Sequence, residues 1–170
     1  MNVCSGMDNN WRNNMCDIKY KNSNYNFAYR VSALILNKEK TKILLFYGDD
    51  TNFYMLPGGK VKELEKSNEA IKREIREEIG WENLKFDFIG VSEEIVKSNK
   101  VNIQEITLTY KSIYDGKILE KTFKSIESDW INFEWVKIDE IDKYEIHPTR
   151  IKDFIKNTKS TNHIIEEIIM

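Results

Sequence analysis

The sequence predicts one mixed α+β domain, with helices packed on a mixed sheet. Three observations lead there. The chain has 170 residues, enough for one sizeable core. Its 41% hydrophobic and 32% charged content is that of a globular protein. Its β-branched runs are broken by one amphipathic helical segment and followed by further helical signals, the strands–helix–strands–helix order of that class.

Residues 1–24, MNVCSGMDNNWRNNMCDIKYKNSN, are polar and aperiodic and read as a weakly structured leader, which leaves 25–170 as the domain. The runs FAYRVSALILN and TKILLFYG, separated by the polar NKEK, read as a hairpin. DDTNFYMLPGG is a loop entering a short strand that ends at Pro57. A helix follows, with Ser67 as its expected N-cap. Ile71, Ile75 and Ile79 form one apolar stripe, and Gly80 stands where a left-handed C-terminal cap belongs. LKFDFIGVSEEIV and VNIQEITLTYKSIY are long and β-branched enough to be strands. KILEKTFK reads as a weaker strand and INFEWVKI as another. DEIDKY suggests one helical turn, and residues 149–157 and 162–169 read as helices. Ile164, Ile165, Ile168 and Ile169 would make an apolar stripe on the last of these, for docking on the body or on a second copy, so the chain is expected to be a monomer or homodimer.

Composition excludes some classes. A formal net charge of −2 gives no support for a nucleic-acid partner. No apolar run approaches bilayer length, and the first residues lack an apolar signal core. Cys4 and Cys16 match no zinc spacing and read as two incidental thiols in a reducing cytoplasm.

The chemistry concentrates in residues 57–81, PGGKVKELEKSNEAIKREIREEIGW. On a helix, Glu74 lies beside Glu77 and Glu78, and all three flank the isoleucine stripe, partly shielded from water. Like charges so placed repel, and they lie near the helix C-terminus, where the dipole also disfavours them. Arg73 and Arg76 offset part of this; a divalent cation would offset more. Carboxylate ligation without Cys or His selects a hard ion, Mg²⁺ or Mn²⁺. Gly58-Gly59 permits close approach of a ligand and offers a backbone carbonyl to the metal. Lys60 and Lys62 follow at once and are placed to meet a phosphate.

Charge runs usually only solvate a helix face, but here the spacing across the whole segment reads G-x5-E-x7-R-E-U-x-E-E-x-G-U, with U bulky and apolar. Gly59, Glu65, Arg73, Glu74, Ile75, Glu77, Glu78, Gly80 and Trp81 fill it. The seven fixed identities would coincide by chance at on the order of 10⁻⁸ per window, which decides against coincidence. The segment resembles the Nudix box, and the chain resembles a Nudix hydrolase over roughly residues 27–154. Trp81 departs from the family's usual aliphatic residue, a change expected to affect packing alone.

The resemblance implies an α/β/α sandwich around a mixed sheet. It implies hydrolysis of a nucleoside diphosphate linked to another group, by attack of metal-activated water on phosphorus. It gives Glu74, Glu77 and Glu78 the metal, with help from the Gly58 carbonyl and from Glu65, and has Arg73 orient the glutamates. The catalytic base is a box glutamate in some members, here Glu74 first. In others it is a carboxylate on the loop before the last strand, here Glu127 or Asp129. Glu105 either faces the site or points outward. Tyr47, Phe53, Tyr54 and Trp130 lie in or near loops beside the box, where one could stack on a nucleobase, but for each taken singly the core role is the stronger reading. His147, before Pro148, reads as a helix-start residue. No proline lies between Pro57 and Pro148, so the downstream proline signatures of the members acting on ADP-ribose and on NADH are absent. The alternative is a catalytically silent Nudix-fold sensor module; all four box glutamates are present, which favours the enzyme. An isopentenyl-diphosphate isomerase-like activity would need a cysteine near the site, and both cysteines lie in the leader.

Overall fold

The computed structural model describes residues 15–156 and 162–169. The elements are β1 (Lys19–Lys21), β2 (Tyr25–Asn37), β3 (Lys42–Gly48), β4 (Gly58–Lys60), α1 (Ser67–Ile79), β5 (Asp87–Lys97), β6 (Asn102–Tyr114), β7 (Thr122–Lys124), β8 (Ile131–Lys137), a 3₁₀ segment (Ile138–Lys143), α2 (Ile151–Lys156) and β9 (Asn162–Ile169). The strands form one mixed sheet in the order β7-β8-β3-β2-β6-β5-β9, with β1 and β4 also paired to β2. β2 runs parallel to β6 and β5 parallel to β9; the other pairings are antiparallel.

β2 organises the sheet. One of its edges pairs with β6 from Tyr25 to Asn37. Its other pairings are with β1, β4 and β3 in turn. Its second half is apolar on both faces because both are covered. Val31, Ala33 and Ile35 join Ile71, Ile75 and Ile79 of α1 in one core. Leu34 and Leu36 join Ile141, Ile151, Phe154 and Ile164 in the other. Helices on both faces of a mixed sheet make the expected sandwich. No described helix is long and apolar enough to cross a membrane.

Gly80 ends α1 in the left-handed region (φ 78°), its N–H donating to the Arg76 carbonyl at 3.0 Å, as expected. The start of α1 differs from expectation. The N-cap is Lys66, without a side-chain bond, and Ser67 is the first helical residue. The Ser67 hydroxyl is spent on the Tyr110 hydroxyl of β6 at 2.7 Å, a tertiary bond that ties the helix start to the sheet in place of a local cap. Trp81 packs as expected, its ring stacked on Tyr114 at 4.0 Å and 12°.

Other expectations are also corrected. The short strand begins after Pro57 instead of ending there, because Gly58–Lys60 pair with β2. The weak strand expected over 117–124 shrinks to Thr122–Lys124, the part that pairs with β8. The leader is expected to be weakly structured to residue 24, yet Lys19–Lys21 belong to the sheet; residues 1–14 lie outside the described residues. Cys16 is disulfide-bonded, not a free thiol; an aperiodic segment carries no signal for that.

The largest correction is at 162–169, expected as a helix and observed as β9. The pattern IIEEII fits a helical stripe, but as a strand it sends Ile164 and Ile168 to one face and Ile165 and Ile169 to the other. β9 completes the edge of β5, and Ile164 is 2% exposed in the core while Ile165 is 60% exposed. The β-branched content of the segment was the usable signal. Ile164→Ala is therefore expected to cost about 2–4 kcal/mol in urea unfolding and Ile165→Ala under about 0.5 kcal/mol. Equal effects would contradict the strand.

Candidate active site

The site starts where β4 lies against β2, pairing Ser32 with Gly58, Val31 with Gly59 and Arg30 with Lys60. Gly58 has φ 146°, and a Cβ there would strike the Val31 carbonyl oxygen. At Gly59 a Cβ would collide with the Glu74 carboxylate. The glycine pair thus lets the strand close on β2 and lets α1 lay a carboxylate directly on the backbone.

Arg73 anchors that helix face. Its Nε and Nη2 donate to the Glu65 carboxylate at 2.7 and 2.9 Å. Nη1 is shared between Glu74 Oε1 at 2.7 Å and Glu77 Oε2 at 2.8 Å, and Nη2 also reaches the Lys60 carbonyl at 3.0 Å. Glu65 accepts the Lys62 amide at 3.0 Å as well. Burial works against the charge on Glu65, but Arg73 and that amide outweigh it and hold its pKa below the usual carboxylate value. Burial pushes the Glu74 carboxyl up; Arg73 opposes this, while Glu77 and Glu127 add to it.

Glu78 differs from its neighbours. It is 8% exposed, and its Oε2 is buried with no hydrogen-bond partner. Burial, reinforced by the charges of Glu74 and Glu127, raises its pKa to about 8 against the opposing effects of the Gly58 backbone bond and Arg30. The loop 125–130 docks on this end of α1. The Ile126 amide and the Ser125 hydroxyl both donate to the Glu78 carbonyl, at 2.9 and 3.1 Å, which fixes Glu127 in front of the carboxylates.

A cavity of about 420 Å³ results, within the usual size range of ligand pockets. Of the residues expected from sequence, it brings together Gly58, Lys60, Lys62, Arg73, Glu74, Glu77, Glu78 and Glu127. Glu65 stands behind Arg73 and is not among the lining residues. Nor is Asp129, whose carbonyl accepts from Lys124. Glu105 pairs with Arg30 at 3.5 Å and lines a separate recess. Sequence reading missed two charged lining residues, Asp17 and Arg30. Arg30 had a signal: it is a charge inside the apolar run FAYRVSALILN. Asp17 had none, since it sits in the aperiodic leader.

Among the described residues, no group of three ligating side chains is already gathered as a metal site. Arg73 explains this, because it draws Glu74 and Glu77 to itself. The donor set still fits a hard divalent cation: it is all oxygen, and one buried carboxylate oxygen of Glu78 stands unsatisfied, an arrangement that is costly without a counter-charge.

Residues 26–157 match the NUDIX domain. The chain belongs to the Nudix family. As a Nudix enzyme it is a pyrophosphohydrolase, acting on phosphoanhydride bonds. No curated protein sequence matches it. Solved structures similar to it include the MutT protein from Bacillus halodurans, at 20% identity and TM-score 0.59, covering 84% of this chain and 89% of that one. A MutT Nudix hydrolase from Burkholderia pseudomallei is similar at 23% identity and TM-score 0.59, covering 74% and 95%. A UDP-X diphosphatase is similar at 21% identity and TM-score 0.51, covering 85% and 68%. At these identities the likeness shows the Nudix fold.

The raised pKa of Glu78 has a consequence for the metal-free protein. The native state keeps the Glu78 proton up to about pH 8, whereas the unfolded chain loses it above 4.5. The native state therefore binds the extra proton between those values. This contribution to stability is complete below the unfolded value and is lost as pH rises through the folded one. In chelator, Glu78→Gln should gain on the wild type in melting temperature between about pH 5 and about pH 8.5; a pH-independent difference would contradict the assignment.

Proposed function

We propose that the protein is a Mg²⁺- or Mn²⁺-dependent diphosphatase that hydrolyses a nucleoside diphosphate linked to a further group, with water attacking phosphorus. The observation that carries this reading is the unpartnered Oε2 of Glu78, in a cavity shared with Glu74, Glu77 and Gly58. Those three carboxylates and the Gly58 carbonyl are the proposed metal ligands. When bound, the cation would supply Lewis-acid charge to the diphosphate and make the attacking water more acidic.

The chain's own groups have separate tasks in this reading. Arg73 holds Glu74 and Glu77 at fixed positions, and Glu65 holds Arg73. Lys60 and Lys62 line the cavity and would meet the phosphate oxygens as point charges. Proton removal from water falls to Glu74 or Glu127. Both line the cavity, which favours Glu127 over Asp129 among the loop carboxylates. General-base function requires hydrogen-bond reach of the proton removed.

Two measurements test this. With a panel of nucleoside diphosphate derivatives, turnover should appear with Mg²⁺ or Mn²⁺ and vanish in chelator; activity that survives complete chelation would overturn the metal role. Glu77→Gln should lower turnover by about 100-fold or more, since each 1.36 kcal/mol lost from the transition state is tenfold. The same change should alter metal-free stability by less than about 1 kcal/mol. Normal turnover in that variant would mean that Glu77 is only an ion-pair partner of Arg73.

A further inference from the structure

The cavity lining also includes Phe46, Gly48, Met55 and Trp130. Trp130 is 59% exposed, unusual for the largest apolar side chain. It is nevertheless held in place. Its carbonyl accepts the Asp49 amide at 2.9 Å. Asp49 in turn takes Asn132 Nδ2 at 2.6 Å and Lys124 Nζ at 3.4 Å. The benzo edge of the indole lies against Gly48, where a Cβ would come within 3.1 Å of two ring carbons. The ring is thus exposed while its backbone and one edge are held, which lowers the entropic cost of binding against it.

The other candidate aromatics have ring partners. Tyr47 and Tyr54 pack together at 5.1 Å, Tyr54 also meets Tyr144 at 5.1 Å, and Phe53 meets His147 at 5.0 Å. Among the described residues, Trp130 has no such contact. The polar recess beside Arg30, Glu94 and Glu105 is not a competing ring site. Its volume is about 60 Å³, below the range of small-molecule pockets.

We propose that Trp130 is the stacking wall for the planar ring of the substrate, the nucleobase of the nucleoside diphosphate. This rests on the diphosphatase reading of the cavity. A π-face reads no hydrogen-bond pattern, so the contact selects for a flat ring and tolerates different bases. Selection at this wall is between nucleotides and diphosphates without a ring.

The test uses the full chain with Mg²⁺ and two probes, ADP and inorganic pyrophosphate, titrated by calorimetry. Wild type should bind both. Trp130→Ala should weaken ADP about tenfold or more and leave pyrophosphate within about twofold, while Trp130→Phe keeps most of the ADP affinity. ADP should also quench tryptophan fluorescence in the wild type and do so much less in Trp130→Phe, a signature that a purely structural role would not produce. If Trp130→Ala binds ADP as the wild type does, or loses both probes equally, the stacking role is wrong and the diphosphatase reading survives through pyrophosphate binding. If the wild type binds neither probe, the diphosphatase reading fails and the stacking role fails with it.

Discussion

The Arg73 guanidinium is the interaction on which the site depends. Its side chain is 13% exposed, so its charge is poorly hydrated and needs partners. Burial opposes the cation, and the bonds to Glu65, Glu74 and Glu77 outweigh it, holding its pKa above the ordinary arginine value. Its three nitrogens together join three parts of the chain. Glu65 belongs to the turn before α1, Lys60 to the strand beside β2, and Glu74 and Glu77 to the helix itself. Lysine would supply the charge without the fork that makes these bonds at once. The fixed guanidinium sets where the helix lies over the glycine pair, and so where Glu74 and Glu78 stand.

The same network separates the glutamates into kinds. Glu65 is fully engaged and structural in character. Glu74 and Glu77 each give one oxygen to Arg73. Glu78 receives nothing from Arg73 and keeps a bare oxygen in the interior. A sequence of evenly written glutamates thus becomes a graded set, from satisfied to unsatisfied, by position relative to one cation. A buried carboxyl with a perturbed pKa and an unsatisfied oxygen, set in a cleft, is the expected mark of a functional site.

The legible parts of the fold were those with local causes. The isoleucine spacing gave α1, Gly80 gave its end, and the box spacing gave the carboxylates that now line the cavity. Glu127 was legible as one of two loop candidates; that it lines the cavity while Asp129 does not depends on how the loop docks on the Glu78 carbonyl. What failed had a tertiary cause. Ser67 is a good cap by chemistry, but Tyr110 lies within reach of its hydroxyl. The spacing of IIEEII suits a helix, its β-branched content leans toward a strand, and the open edge of β5 decides between them. Lys19–Lys21 has almost no strand signal and is a strand because β2 offers it a partner. Arg30 reaches the cavity because β4 lies beside it, a neighbour that no local pattern announces.

The two parallel pairings carry a kinetic consequence. Ala28 faces Glu105 and Glu94 faces Glu166, so each joins segments that are far apart along the chain. Closing such loops costs entropy before any contact repays it, and topologies rich in long-range strand pairing fold slowly. The glycine turn, Arg73 and the three helix glutamates lie close together in sequence and can associate early. Arg30 and Glu127 arrive on segments placed by long-range pairing. The cavity therefore combines two kinds of contact: an acidic helix face built from residues near in sequence, and enclosing walls that exist only once distant strands have paired.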